Sequence, residues 1–342
     1  MTKSSDKVIR HMSKKTIRKE IPIALSSNYM TQLTNESGGG RRYEVDGAKY
    51  ESVTSIISNN LRNFGVERWK DSWIKSQLSR YNGQRLTPQI ATDIVSASTD
   101  EMNASADLGT QMHTIIEGLL RDESVDHLIT DQLEPAVRAW LNWRREFINW
   151  ELVGTEVGVY TPRPVEIRFV DDKDASYASS KLVFEDDPPE TDSRKLPYYA
   201  GQVDALFKNN NSYMVVDWKT SSGLYESSYL QVAAYAKALK EMHYREKWGA
   251  FGPNLSVDGR YTPPLRDDVM EDVSACVVRL VNDYPRDQDG KKDRTQAKVF
   301  SGGCEYVMVD VDHWGKTFQG IVDTSIQLKN KVKKERIFSY VG

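Results

Sequence analysis

Two apolar runs separated by three asparagines constrain the fold of this chain more than any other feature. The runs cover residues 201–208 (GQVDALFK) and 212–219 (SYMVVDWK), and they are rich in the Val, Phe, Tyr and Met residues that suit strands. Asparagine tolerates a positive φ, so a two-residue turn at Asn210 and Asn211 is allowed. The sequence therefore predicts an antiparallel hairpin in which residue 209 faces residue 212.

This register brings three charged side chains together. Counting back along both strands places Asp204 opposite Asp217, and Lys219 lies two residues further on, on the same face as Asp217. Carboxylate oxygens are preferred ligands of Mg²⁺ and Mn²⁺, and a bound cation removes the repulsion between two aspartates. The adjacent ammonium is suited to orient a water molecule or to stabilise charge on a phosphate. A cross-strand salt bridge on an ordinary exposed hairpin is the competing explanation.

Three further motifs accompany the hairpin in a fixed order along the chain. A Ser-Val-Thr segment comes first (residues 52–54), a G-T-x-x-H segment follows (residues 109–113), and a Q-x-x-x-Y segment (residues 231–235) comes after the hairpin. Together with GQVD and VVDWKTSSG, they resemble the core of the PD-(D/E)xK nucleases, specifically the RecB-like exonuclease branch that includes many phage exonucleases. The resemblance covers about residues 43–240, with a weaker echo in the strand around residues 277–280.

The resemblance implies a metal-dependent active site and assigns its residues. The implied ligands of Mg²⁺ or Mn²⁺ are His113, Asp204, Asp217 and the backbone carbonyl of Trp218. Lys219 is expected to position or activate the attacking water. Gln231 and Tyr235 lie four residues apart on the following helix, so they face the same way. They are expected to contact the DNA backbone or to support Lys219.

Two assignments rest on weaker patterns. His113 lies beside the apolar stripe of a helix, where a histidine is often structural, but its place in the G-T-x-x-H motif favours a metal ligand. RecB-like nucleases often complete the acidic cluster with a glutamate on an earlier strand. Glu156 in LVGTEVGVY fits because that strand follows a long helix, and Glu166 in VEIRFV competes with it. The sequence does not decide between the two glutamates.

Composition limits the class of protein. The chain has 342 residues, of which 39% are hydrophobic and 28% charged, as in a soluble globular protein with a full core. It has no run of 18 apolar residues and no signal-peptide core, so we expect a cytoplasmic protein (in the host cytoplasm, if viral) that does not bind membranes. Two cysteines indicate a reducing compartment and cannot supply the four thiolates of an iron–sulfur cluster.

Three regions follow from the order of elements. Residues 1–40 carry many Lys and Arg and are predicted to form a flexible basic arm, and residues 41–106 a helical elaboration. Residues 107–342 are predicted to form the nuclease core, with insertions near 171–197 and 244–271. Separate helices are predicted over 87–103 and 108–121. The expected fold is α/β and restriction-endonuclease-like, with a central mixed β-sheet flanked by helices.

These observations predict a metal-dependent deoxyribonuclease that hydrolyses DNA phosphodiester bonds. The resemblance favours an exonuclease that prefers single-stranded DNA or free ends and works in DNA replication, recombination or repair, with proteins of those processes as partners and a phage as its origin. In relatives, extra helices form an arch over the site; here Trp69 or Trp73 would stack on bases, and the phosphate contacts would come from Arg62, Arg68, Lys70, Lys75 and Arg80. The alternatives are a catalytically weak DNA-binding module of a replication or packaging complex, and a structural protein.

Overall fold

The computed structural model describes most of the chain, including every candidate site residue on the central hairpin. The described residues are 16–35, 40–61, 64–161, 166–171, 180–185, 199–221, 223–248, 272–293 and 299–338. Residues 1–15, much of the predicted insertion at 171–197 and nearly all of that at 244–271 lie outside them. Side chains are described over somewhat shorter ranges, and those of residues 162–198 and 326–342 are outside the description.

Nine of the described strands form one mixed sheet. The strands of the chain are β1 (Thr16–Pro22), β2 (Tyr29–Asn35), β3 (Arg42–Val45), β4 (Ala48–Ser52), β5 (Glu151–Tyr160), β6 (Glu166–Asp171), β7 (Ser180–Glu185), β8 (Tyr199–Asn209), β9 (Ser212–Lys219), β10 (Asp272–Asp283) and β11 (Val299–Val309). The sheet order is β1-β2-β3-β4-β8-β9-β10-β11, with β5 paired to β8, while β6 and β7 form a separate two-stranded sheet. The pairs β4–β8 and β9–β10 are parallel, and the other pairs are antiparallel.

Helices cover both faces of this sheet. They are α1 (Val53–Asn60), α2 (Phe64–Leu78), α3 (Pro88–Leu120), α4 (Glu134–Glu146), α5 (Glu226–Trp248) and α6 (Val311–Phe338). One apolar core lies between the sheet and helices α1, α5 and α6, and a second lies on the opposite face under α3 and α4. Strand β10 shows the alternation clearly, since Val277 faces the first core and Val278 the second. The predicted α/β class, with a mixed sheet flanked by helices, is confirmed.

The central hairpin has the predicted register. Asn209 pairs with Ser212, and the pairing continues to Ala205 and Val216, so the two-residue turn lies at 210–211. Asn210 has a φ of 51°, in the left-handed region that asparagine tolerates. The ladder ends at Ala205 and Val216, and continuing its register by one residue places Asp204 across from Asp217, as the sequence predicts.

Strand β8 exchanges partners beside Asp204. Its first residues, Tyr199 and Ala200, pair with β4, and Ala205 to Asn209 pair with β9. Strand β5 pairs along the whole of the other edge. Along this edge of β8, residues 201–204 therefore pair with neither β4 nor β9. The sheet opens at this point, and the aspartate stands at the opening.

Two features differ from the sequence-based predictions. Residues 16–35 form strands β1 and β2 instead of part of a flexible arm, and Ile21 and Met30 pair with each other and are buried. The predicted break between two helices at 103–108 is also wrong, because α3 runs unbroken from Pro88 to Leu120. A Cβ on Gly109 would lie 2.9 Å from Thr220 Oγ1, so this glycine provides a close approach to the sheet and does not end the helix. None of the described helices is long and apolar enough to cross a membrane.

Candidate active site

The end of the β8–β9 ladder fixes Asp204. The Asp204 carboxylate accepts a hydrogen bond from the Trp218 backbone N–H at Oδ2, over 2.8 Å. The Trp218 side chain anchors this backbone, because it is buried in the second core with ring centroids 6.1 Å from Trp140 and 5.0 Å from Trp143. The carboxylate is thus held at the opening of the sheet with 15% of its side chain exposed.

Helix α3 brings His113 to the same point. One turn beyond the close approach at Gly109, His113 Nε2 lies 3.1 Å from the Trp218 carbonyl oxygen, and Nδ1 lies 3.6 Å from Asp204 Oδ2. Burial lowers the pKa of His113, which favours the neutral ring. A carbonyl oxygen only accepts, so the neutral ring donates from Nε2 and keeps its lone pair on Nδ1, facing Asp204. The Nδ1 nitrogen of His113 and the Oδ2 oxygen of Asp204, each able to donate an electron pair to a metal ion, therefore face each other.

An unusual backbone conformation delivers Glu156. Strand β5 pairs with β8 on both sides of this residue, which places it across from Asp204, yet its φ is 53°. A glutamate in the left-handed region is strained, and here the strain accompanies a register shift earlier in the strand. The Gln202 side-chain amide donates to the Glu156 carbonyl oxygen over 3.1 Å and holds this conformation. Ligand atoms of His113, Glu156 and Asp204 all lie within 4.8 Å of one another.

This crowding shifts the acidities of both carboxyls. Burial and the charge of Asp217 raise the pKa of Asp204 to about 8, although its backbone hydrogen bond opposes the shift. Burial and the charges of Asp204 and Glu117 raise the pKa of Glu156 to about 7. Both carboxyls therefore gain from a nearby cation, since its charge would offset the repulsion that keeps them protonated. A neutral imidazole with two carboxylates is a donor set that suits a divalent metal ion.

Asp217 and Lys219 form a second group beside these three residues. Lys219 Nζ lies 2.6 Å from Asp217 Oδ2 and 3.5 Å from Gln231 Oε1. The Gln231 amide donates to Asp217 Oδ1 over 2.9 Å and to the Tyr235 hydroxyl oxygen over 3.2 Å. Burial lowers the pKa of Lys219, but Asp217 and Asp204 outweigh it and raise the pKa overall, so the side chain is an ammonium ion.

A glycine makes room for this network. A Cβ on Gly201 would lie 2.1 Å from Tyr235 Cε1, so the ring of Tyr235 packs directly over the backbone of β8. No larger residue leaves space for the ring at this position without movement of the helix or the strand. The glycine of the GQVD segment therefore has a packing role, and Tyr235 in turn positions Gln231.

The structure brings together most of the side chains predicted from the sequence. His113, Glu156 and Asp204 form one cluster, and Asp217 and Lys219 form the adjacent one with Gln231 and Tyr235. The Trp218 carbonyl lies against His113 Nε2. Glu166, the rival of Glu156, begins β6 in the separate two-stranded sheet, and its side chain lies outside the described part of the chain.

Two cations near the cluster have no counterpart in the sequence-based predictions. The charge of Arg41 partly opposes the rise in the pKa of Asp204, and the charge of Lys19 partly opposes that of Glu156. Lys19 comes from β1, inside the region predicted to be a flexible arm. No sequence motif marks either residue.

Comparison with known proteins supports the same class. The sequence model of the PD-(D/E)XK nuclease superfamily matches residues 84–306, which is more than half of the chain and includes His113 and both hairpin strands. No curated protein matches the chain significantly. Nucleases of this superfamily act with divalent metal ions on DNA, and the His113–Glu156–Asp204 cluster has the donor atoms such an ion requires. By fold, site and sequence, the chain belongs to the PD-(D/E)XK nuclease superfamily.

Proposed function

We propose that the protein is a Mg²⁺- or Mn²⁺-dependent exonuclease that hydrolyses phosphodiester bonds from free DNA ends and prefers single strands. The observation that carries this proposal is the convergence of His113, Glu156 and Asp204 within 4.8 Å, next to the Asp217–Lys219 pair. The resemblance to RecB-like exonucleases supports the preference for ends and a role in replication, recombination or repair. It also supports a phage origin and a cytoplasmic site of action.

In this proposal the cluster holds the metal ion. His113, Glu156 and Asp204 supply an imidazole nitrogen and two carboxylates, and by resemblance Asp217 and the Trp218 carbonyl complete the set. The metal ion would supply Lewis acidity, which activates water and offsets charge on the phosphate. Because the pKa values of Asp204 and Glu156 are raised, both carboxyls carry protons near neutral pH. A metal ion would compete with these protons for the carboxylate oxygens, so its binding would release them.

Lys219 acts as a charge and not as a base. Its raised pKa keeps it an ammonium ion at neutral pH, so it is suited to orient the attacking water and to stabilise negative charge on the scissile phosphate. Asp217 and Gln231 hold Nζ in place, and Tyr235 holds Gln231. This arrangement argues against a purely structural hairpin. Such a hairpin needs neither the Gln231 amide that links Asp217 to Lys219 nor the adjacent cluster of His113, Glu156 and Asp204.

End-labelled single-stranded, duplex and circular DNA tests the proposal directly. We expect cleavage with Mg²⁺ or Mn²⁺ and none in chelator, release of label from linear single strands first, and little action on circles. Lys219→Ala and Asp217→Ala should each reduce the rate by about 10²-fold or more, because each removes a charge at the reacting phosphate or the metal.

Matched variants separate chemistry from general charge effects. Lys237→Ala removes a half-exposed lysine that pairs with Glu241 on α5, and Asp323→Asn removes an acid on α6 that accepts from Gln319. Both should cleave at the wild-type rate. Near wild-type cleavage by Lys219→Ala, or cleavage that persists in chelator, would contradict the proposed function.

A further inference from the structure

A cavity of about 660 Å³ opens against strand β5, which also carries Glu156. Residues 152–157 of β5 contribute one wall, and residues 22–27, which connect β1 to β2, contribute another. Arg121, directly after α3, lines the cavity between them. The volume lies within the range of about 300–1,000 Å³ that is usual for small-molecule sites.

The cavity and the candidate cluster share strand β5. Thr155 and Val157 both line it, and Glu156 lies between them in the chain. Arg121 Nη2 lies 2.7 Å from Glu117 Oε1, and the charge of Glu117 acts on Glu156. A ligand in this cavity would lie against the part of β5 that carries Glu156.

The wall formed by residues 22–27 is firmly attached to β5. The Ala24 N–H donates to the Gly158 carbonyl oxygen over 2.9 Å, and Ile23 forms a parallel bridge to the same glycine. A Cβ on Gly158 would lie 2.4 Å from Met30 Cε, so β2 packs closely on β5 at this glycine. These wall residues lie outside residues 84–306, the part of the chain that matches the nuclease superfamily. The cavity is thus completed by a segment beyond the shared core.

The lining offers the groups that complement a nucleotide. Arg121 is 44% exposed, and because a guanidinium has five N–H donors, its pairing with Glu117 orients it and leaves donors for a phosphate. Val153 presents an apolar side chain that is 39% exposed. Ser26 Oγ accepts from the Asn28 N–H over 3.2 Å and so retains its own O–H as a donor. A cation, a hydroxyl and an apolar surface match the phosphate, sugar and base of one nucleotide.

We propose that this cavity holds the nucleotide next to the scissile phosphate, with Arg121 contacting its phosphate and Val153 its sugar or base. The inference rests on the proposed nuclease function, because the bound strand must pass the His113–Glu156–Asp204 cluster to be cleaved. It adds a substrate subsite built partly from the β1–β2 connection. Arg121 and Val153 take no part in metal binding, so their effects belong to strand binding and not to chemistry.

Binding of a fluorescein-labelled deoxythymidine octamer in chelator, followed by anisotropy at several salt concentrations, tests the subsite without cleavage. Arg121→Ala should weaken binding roughly tenfold, because a charge-assisted phosphate contact is lost. The slope of log affinity against log salt should fall by about 0.7, the value for one phosphate contact on a single strand. Val153→Asp should also weaken binding, since it places an acid on the apolar wall.

Two controls carry the same chemical changes elsewhere. Arg138 forms the same i, i+4 ion pair with Glu134 on α4, and Ile148, shortly after α4, is 70% exposed. Arg138→Ala and Ile148→Asp should bind the octamer like the wild type. Equal behaviour of Arg121→Ala and Arg138→Ala, or no binding by the wild type in chelator, would overturn the subsite. Loss of cleavage by the wild type with Mn²⁺, while this binding contrast holds, would count against the nuclease proposal alone.

Discussion

At the scale of single residues, the site is a place where carboxyls are held close together against their mutual repulsion. Asp204 is fixed by the Trp218 N–H and Glu156 by a left-handed backbone, so neither can move away from the other without loss of backbone structure. Burial first, and then the charges of neighbouring carboxylates, raise their pKa values to about 8 and about 7. The free-energy cost of burying carboxyls close together is common at functional sites, where a bound ligand offsets it.

Metal binding should therefore depend on pH. At a pH between the ordinary carboxyl pKa of about 4 and these raised pKa values, the folded protein holds protons that the unfolded chain has released. The stability of the metal-free protein therefore falls as the pH rises from about 4 to about 8. A metal ion must displace these protons, so Mn²⁺ affinity should rise from pH 6 to pH 8. Titration calorimetry with Mn²⁺ at pH 6, 7 and 8, together with thermal unfolding in chelator, measures both trends.

The contribution of one carboxyl can be isolated. Glu156→Gln should flatten the pH dependence of stability in chelator and weaken Mn²⁺ binding, whereas Glu134→Gln on α4 should leave both like the wild type. Mn²⁺ affinity that is the same at pH 6 and pH 8 in the wild-type protein would contradict the role given to Asp204 and Glu156.

Gly201 should not tolerate a side chain. The added methyl group of Gly201→Ala would meet Tyr235 Cε1 at 2.1 Å in a fully packed core, and overpacking of this kind costs about 1–3 kcal/mol. The displaced ring would also release Gln231, so cleavage should fall together with stability. Urea unfolding in chelator measures the first effect and the cleavage rate the second.

The control is a glycine with open space around it. Gly320 lies within α6, and apart from its chain neighbours and the adjacent backbone of that helix, no atom of the described residues lies within 4 Å of the position of an added Cβ. Gly320→Ala should stabilise the protein by about 0.5–1 kcal/mol, because alanine favours the helix. If Gly201→Ala were as stable as the wild type, Tyr235 would not pack as described.

The sequence predicts the placement of side chains correctly where strand alternation determines it. Asp204, Asp217 and Lys219 follow from the hairpin register alone, because side chains on a strand alternate with a period of two. Glu156 could not be separated from Glu166 in this way. Its position in the cluster depends on a φ of 53°, and strand periodicity assumes extended backbone throughout.

At the scale of whole elements, α3 and β8 do most to build the site. Helix α3 is 33 residues long and carries His113 in its last third, and β8 meets β4, β5 and β9 along 11 residues. The sequence predicts a helix break at 103–108 and a flexible arm at 16–35, and the structure differs at both places for a related reason. Single-sequence patterns do not reveal that Gly109 packs against Thr220, or that a basic strand is stabilised by pairing of Ile21 with Met30.

The β1–β2 hairpin should be an integral part of the fold. Met30 is 1% exposed and packs over Gly158, so Met30→Ala should cost about 2–5 kcal/mol of unfolding free energy through lost burial and the cavity it leaves. Tyr29, its neighbour, is 61% exposed, and Tyr29→Ala should change stability by no more than about 0.5 kcal/mol. Denaturant unfolding compares the two; equal, negligible effects would restore a flexible arm at residues 16–35.

At the scale of the whole molecule, α3 links the helices before the core to the site, because it packs on α2 and continues to His113. We propose that α1 to the first part of α3 form an elaboration over the nuclease core of residues 107–342. Trp73 is buried and Trp69 donates to the Tyr284 hydroxyl over 3.2 Å, so the pair is packed as structure and Trp73 has no free face for a base. Four cations of α2 and of the turn after it are exposed, and we propose them as phosphate contacts: Arg68, Lys70, Lys75 and Arg80. Arg62, also expected to contact phosphate, lies outside the described residues.

If these helices close over the strand, DNA must load from a free end. A covalently closed single-stranded circle should then be cleaved at least about 10²-fold more slowly than a linear strand of the same length and sequence, because no end can pass beneath the helices to the cluster. The linear strand is the matched control, since its base composition and charge are identical. Measuring both in one reaction with Mn²⁺, with differently labelled strands, removes differences in enzyme activity. Efficient cleavage of the circle would show that α2 and α3 only cover the sheet, and it would leave the metal cluster as the site of an endonuclease.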